Sequence, residues 1–386
     1  MKNILFIHQS ADLYGSDKTL LYLVTSIKNL FHPIIVIPSE GPLSEELKKR
    51  NIEFYVIPVI KVSRELFKSL AIIKLPFQIY KTVRVLKTKL GSRKIDIVHS
   101  NTLAVFLGAF FSKKYKIKHV WHVHEIIQQP KIVAKSYPFL VNWFSDYVIF
   151  NSKASAEHLY SNRPKLEKKS RIIYNGLDRD IPISASKNQI TLRKSIFKEI
   201  DPETIVIGLI GRINKHKGHA LALKVFEELI KSGSKNIKLL FIGSAIKSQT
   251  YLIDELNAAI KSKKLENLVT IIDFQKDIWN FYDCIDILIV PTTDPEPFGL
   301  VAIEGMLSKK PVIAANHGGL KEIVENNKTG ILFEPNNKVK LKEAIEFFIC
   351  NKEQLAIYGT QGEKRANVHF SLKKHVDAFI HLYKII

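Results

Sequence analysis

Residues 291–335 read PTTDPEPFGLVAIEGMLSKKPVIAANHGGLKEIVENNKTGILFEP. Pro295 and Pro297 flank Glu296 and exclude a regular helix through it. Gly299 is followed by the apolar run LVAIEGML, which predicts a helix starting just after the turn. Glu296 is therefore expected on a loop and Glu304 on a helix rooted beside it, with seven residues between them. The backbone amides near Phe298, Gly299 and Leu300 would form that helix's N-terminus, which suits an anion. Two carboxylates that seek hydroxyls, set around an amide cluster that seeks phosphate, fit a sugar nucleotide.

Outward from this stretch, short apolar runs alternate with helical patterns along the whole chain. Strands are expected at Asn3–His8, Ile34–Pro38, Phe54–Ile57, Ile97–His99, His119–Val123 and Tyr147–Phe150. A second series falls at Ile205–Gly211, Ile237–Gly243, Val269–Phe274, Ile287–Pro291 and Val312–Ala315. Helical periodicity lies between them, as at Lys18–Leu30, Phe77–Leu90, His219–Lys231 and Gln249–Lys261. This is the βα alternation of doubly wound parallel sheets, and 386 residues suffice for two such domains. The polar, aperiodic stretch DRDIPISASKN, 178–188, is the expected junction.

Composition narrows the class. An apolar fraction of 46% with a mean hydropathy of +0.00 fits a globular chain. No run approaches the roughly 20 apolar residues that span a bilayer, and MKNILFIHQS reads as a first strand rather than a signal peptide. Cys284 and Cys350 are too few for a disulfide framework and point to a reducing, cytoplasmic compartment. The net charge of +21 is uneven: residues 1–180 hold 29 Lys/Arg against 14 Asp/Glu, a net +15. The first half is thus expected to face something acidic, an anionic membrane before nucleic acid, since no stacking motif or recognition helix accompanies the charge. Residues 61–94 carry ten Lys/Arg and one acid among apolar residues, so Lys61, Arg64 and Lys68 are candidates for an acceptor or membrane face.

Five short motifs, in order and spacing, resemble the retaining GT-B glycosyltransferases of family 4, marked by a Glu-x7-Glu pair: LYGSDKTLLYLV at 13–24, WHVHE at 121–125, NGLD at 175–178, GRINKHKG at 211–218 and the quoted stretch. The resemblance implies two Rossmann-like domains facing across a cleft: 1–180 for the acceptor and 188–369 for the nucleotide sugar, with a C-terminal helix, 370–386, packing back on the first. It implies that Arg212 and Lys217 neutralise the donor diphosphate, with Gly15, Phe298, Gly299 and Leu300 around it. Glu304 would accept hydrogen bonds from the ribose, Glu296 would contact donor-sugar hydroxyls, and His124 would lie by the reacting carbon. A Glu follows His124 where many relatives have Asp, and Tyr14-Gly15 stands where many have two glycines.

Read without the motif, Glu304 is a solvated helix residue, Glu296 a loop charge and GRINKHKG a basic turn. A glycosidase-like acid/base pair is a further reading of the two carboxylates, and it would not need the phosphate site. No Asp-x-Asp dyad sits at a strand end, so neither metal nor cofactor is expected. The expected function is transfer of a hexose-type sugar from a nucleotide diphosphate to a lipid-linked glycan at the inner face of the cytoplasmic membrane. That activity would serve cell-surface polysaccharide or lipopolysaccharide synthesis. The alternatives are a soluble transferase with a free sugar acceptor, or a nucleic-acid-binding protein on the same scaffold.

Overall fold

The computed structural model describes residues 1–59 and 71–386. The chain divides into an N-terminal unit, Met1–Gly176 with Leu372–Ile386, and a C-terminal unit, Leu177–Ser371.

The N-terminal unit is built on seven parallel strands: β1 Asn3–His8, β2 His32–Ile37, β3 Glu53–Val56, β4 Ile97–Asn101, β5 Lys118–Val123, β6 Tyr147–Phe150 and β7 Ser170–Ile172. They lie in the order β3-β2-β1-β4-β5-β6-β7. Both faces are covered, so the strands read as near-continuous apolar runs. Leu5, Ile7, Val98, Trp121 and Val123 face one helical layer, while Ile4, Phe6, Ile97 and Val120 face the other. The second layer includes helix Gly15–Ile27 and the last helix, Leu372–Ile385. The Tyr383 hydroxyl of that helix hydrogen-bonds with His99 Nδ1 at 2.7 Å, and His375 Nδ1 bonds the Tyr174 carbonyl at 2.8 Å.

The C-terminal unit has six parallel strands: β8 Ile205–Ile210, β9 Ile237–Ile242, β10 Val269–Ile272, β11 Ile287–Val290, β12 Val312–Ala315 and β13 Gly330–Phe333. Their order is β10-β9-β8-β11-β12-β13. In each sheet the order reverses once, between β1 and β4 in the first and between β8 and β11 in the second. At such a switch point the loops leaving the strands' carboxyl ends diverge to opposite faces and leave a crevice for ligand.

The stretch 178–188 is not a plain linker. Arg179 donates to Asp283 Oδ2 at 2.8 Å and to Ser308 Oγ at 2.7 Å, with both ionic side chains buried. Helix Ser186–Ile196 begins inside it. A long-range charge pair supplies the order that local periodicity lacks. Among the described residues no helix is long and apolar enough to cross a membrane. Lys61, Arg64 and Lys68 lie outside the described residues.

Candidate functional site

In the C-terminal unit, three loops leave the carboxyl ends of β8, β11 and β12 and are tied together by backbone contacts that only glycine permits. Gly218 has φ +80°, and a Cβ there would stand 1.9 Å from the Pro291 carbonyl oxygen. Gly318, at φ +58°, would put one 2.1 Å from the Glu296 carbonyl oxygen. The Thr293 amide donates to the His216 carbonyl at 2.8 Å, and the Gly319 amide to the Glu296 carbonyl at 2.7 Å. Asn214 Oδ1 accepts the amides of His216 and Lys217, both at 2.9 Å, which sets the turn that presents Lys217.

Lys217 Nζ then reaches Glu296 Oε2 at 2.7 Å, with side-chain exposures of 25% and 19%. The pair is still partly open to solvent, so its worth as a stability device is small. It does place a cation and a carboxylate at one switch-point crevice. Arg212 sits on the same loop, half-buried, just after β8. Helix Leu300–Leu307 starts at Gly299, whose φ of +112° turns the chain, and Phe298 packs beneath it. Glu304 lies on that helix, largely buried, and accepts the Tyr282 hydroxyl at 2.6 Å. Burial, with the Glu304 carboxylate beside it, raises the Tyr282 hydroxyl well above its ordinary pKa, so it remains a donor. Lys217 and Glu296 are therefore in contact and Gly299 lies beside Glu296, while Arg212 stands on the Lys217 loop and Phe298, Leu300 and Glu304 on the segment that follows Glu296, all in one unit. Tyr282 is the member that the sequence did not single out; it falls in a short helix, Trp279–Cys284, with no motif around it.

The N-terminal unit has its own cluster at the switch point between β1 and β4. His8 ends β1 and is in register with Asn101, the last residue of β4. Asn101 Nδ2 donates to His8 Nδ1 at 3.0 Å, and His8 Nε2 donates to Asp17 Oδ1 at 2.6 Å. Asp17 also accepts Ser10 Oγ and, at 2.9 Å, the amide of Tyr14. Burial would raise its pKa, but these hydrogen bonds hold it below the ordinary value. His124 follows β5 and contacts Asn101 Oδ1 through Nε2 at 2.9 Å. Asn101 can serve both histidines only if His124 Nε2 carries the proton, which leaves Nδ1 with its lone pair. Glu125 Oε2 accepts the amides of Leu103 and His124 at 2.9 and 3.1 Å and so fixes the backbone under the imidazole.

Burial pushes His124 down to about 3, which keeps its imidazole uncharged, and pushes Glu125 up to about 7, so that its carboxyl titrates around neutral pH. Gly15 opens the helix beyond this loop, and Tyr14 precedes it as the cap, its amide held by Asp17. His8, Asp17 and Asn101 were not legible as site residues, although a strand-end His followed by an Asp in the next helix's first turn was a usable signal.

Its buried histidines are expected to make this unit less stable in acid. Burial keeps His99 and His122 well below their ordinary value and holds His119 and His375 at about 4, alongside His124. A histidine with a lowered folded pKa adds stability above its unfolded value, about 6.5, and loses it as pH falls toward the folded value. Glu125 works in the opposite direction, its contribution being present at low pH and lost as pH rises through about 7. One carboxyl against five imidazoles leaves acidification destabilising. The apparent Tm is expected to fall by at least about 5 °C between pH 7.5 and 5.5. A flat or rising Tm in scanning calorimetry would contradict this.

Comparison with known proteins bears on both units. Residues 15–181 match the family model Glycosyltransferase Family 4, and residues 192–365 match Glycosyl transferases group 1. A glycosyltransferase of Methanocaldococcus jannaschii is 27% identical over 91% of this chain and 96% of its own length. The Campylobacter jejuni N-acetylgalactosamine-N,N'-diacetylbacillosaminyl-diphospho-undecaprenol 4-alpha-N-acetylgalactosaminyltransferase is 24% identical over 62% of this chain and 60% of its own. The structure of Anabaena HepE in complex with UDP and glucose superposes with a TM-score of 0.86 over 100% of both chains at 23% identity, a likeness of fold.

Proposed function

We propose that this chain, a GT-B fold whose two halves each match a glycosyltransferase family model, moves a hexose-type sugar from a nucleotide diphosphate to a lipid-linked glycan with retention at the anomeric carbon. The observation that carries this reading is the Lys217–Glu296 pair at the crevice between β8 and β11. When the donor enters, Lys217 turns to the diphosphate and frees Glu296 for the sugar hydroxyls. Arg212 supplies the second charge, and Glu304, held by Tyr282, takes the ribose. These cations would do what a divalent ion does elsewhere, so no metal is required.

In the reaction the bond from the anomeric carbon to the phosphate oxygen breaks, and its electron pair leaves with the diphosphate. The acceptor hydroxyl attacks from the face being vacated and passes its proton to the departing phosphate oxygen. His124 is uncharged and keeps a lone pair on Nδ1 that can accept a hydrogen bond from a sugar hydroxyl. The Campylobacter relative's lipid-diphosphate acceptor and the basic N-terminal unit support a lipid-linked acceptor in cell-surface polysaccharide or lipopolysaccharide assembly, with the enzyme peripheral on the cytoplasmic leaflet.

Turnover tests the proposal. Among nucleotide-diphosphate sugars, at least one is expected to release nucleoside diphosphate faster when lipid-linked glycan is added. Stimulation only by free sugars or other small soluble acceptors would replace the lipid acceptor. Absence of release from every donor would remove the reading.

A further inference from the structure

Three helices of the N-terminal unit, Ala71–Leu90, Leu107–Tyr115 and Lys131–Phe144, lie side by side on one face of its sheet. Their inner sides are ordinary core: Ile79 and Val83, Leu107 and Phe111, Val133 and Val141 are all buried. Their outer sides are not ordinary. Ile132, Phe139 and Trp143 form an exposed stripe along the third helix, at 76%, 53% and 73% exposure, on the side where a solvated helix carries charge. Phe110 on the second helix is partly exposed and packs against Phe144 on the third, while Phe77 and Tyr80 protrude from the first.

The charge on these helices is one-signed. Residues 77–90, 107–115 and 131–144 hold eight Lys/Arg and no Asp/Glu. Cations lie over two of the rings, Lys114 over Tyr80 at 4.4 Å and Arg163 over Phe139 at 5.2 Å. A partner must therefore be anionic, accept large apolar side chains, and be broad enough to meet three helices at once. The headgroup region of a bilayer with acidic lipids has all three properties, with Trp and Tyr settling at the boundary and Lys reaching the phosphates.

We propose that this outer three-helix surface docks the protein on an anionic membrane, with Ile132, Phe139 and Trp143 entering the headgroup–acyl boundary. The inference names the surface for the lipid-facing activity proposed above and rests on that reading only for its purpose, not for its evidence. The third helix directly follows the loop that carries His124 and Glu125, and Ile132 is at its near end. Docking there would hold that loop close to the membrane, where a lipid-linked acceptor emerges.

Trp121, Trp143 and Trp279 are the chain's three tryptophans; Trp121 is buried and Trp143 exposed. On vesicles of phosphatidylglycerol and phosphatidylcholine at low salt, the full-length protein is expected to co-float and its emission to shift to the blue. Both effects should weaken as salt rises and be much smaller on phosphatidylcholine alone. Trp143→Phe should abolish the shift but keep flotation. The pair Phe139→Glu and Trp143→Glu should cut the bound fraction at least tenfold while slow donor hydrolysis in solution stays as in wild type, which shows the variant is folded. Four results would overturn the inference: no flotation on the acidic vesicles; equal flotation on neutral ones; flotation of the double variant like wild type; or a Trp143 shift produced by self-association or by single-stranded RNA but not by vesicles. Transfer to a lipid-linked acceptor in detergent, without vesicle binding, would sink this surface and leave the proposed activity standing.

Discussion

Glu296→Ala is expected to reduce sugar transfer about a hundredfold or more, roughly 3 kcal/mol in barrier, while nucleoside diphosphate binds within about threefold of wild type. The carboxylate stands on the β11 loop, its carbonyl held by Gly319 and its side chain by Lys217. An anionic group placed there repels a diphosphate and attracts sugar hydroxyls, so its loss is felt at the sugar. Glu296→Gln keeps the shape and some hydrogen bonding but not the charge, and should fall between. Transfer by Glu296→Ala within threefold of wild type, in initial-rate assays at saturating donor, would remove its role. A loss confined to nucleotide affinity would assign it to the wrong end of the donor.

Lys217→Ala should be nearly as damaging, for a different reason. A charge-assisted contact to the leaving diphosphate is lost, worth about 1.5–3 kcal/mol, and Glu296 is left without its cation. Arg212→Ala should lose about tenfold to a hundredfold through the diphosphate alone. Because Lys217 and Glu296 are joined at 2.7 Å, part of each single loss is the stray charge of the other. The double variant Lys217→Ala/Glu296→Ala should therefore lose less than the sum of the two. Wild-type turnover should be unchanged by EDTA. A strict need for added Mg²⁺ or Mn²⁺, or near wild-type rates in both Lys217→Ala and Arg212→Ala, would mean the diphosphate is neutralised by other means.

How far these sites could be read from the chain depends on whether a residue acts locally. Glu296 on its proline-flanked loop and Glu304 on the following helix came directly from local rules, as did most strands. Strand β7, Ser170–Ile172, did not; it is a three-residue edge strand with Arg171 and Ile172 exposed, and so carries no alternating pattern. Strand β13, Gly330–Phe333, is only four residues long and directly follows a turn, so its apolar run is too short to stand out. Arg179 was hidden for another reason. Its partner Asp283 is 104 positions away, and no spacing rule reaches that far.

The same holds for His8 and Asn101, which meet His124 only in the folded sheet. The sheet order, not the sequence order, sets β1 beside β4 and lets one amide serve two imidazoles. Tyr282 joins Glu304 from a helix that also lacks a motif.

Transfer from a nucleotide sugar held by Arg212, Lys217, Glu296 and Glu304 is expected to retain the configuration at the anomeric carbon. Proton NMR of the sugar first released during acceptor-free hydrolysis tests it most directly, because no knowledge of the acceptor is needed. From an α-linked nucleotide sugar the α-anomer should appear first, with the β-anomer growing in only at the rate of spontaneous mutarotation. The β-anomer appearing first would contradict the account.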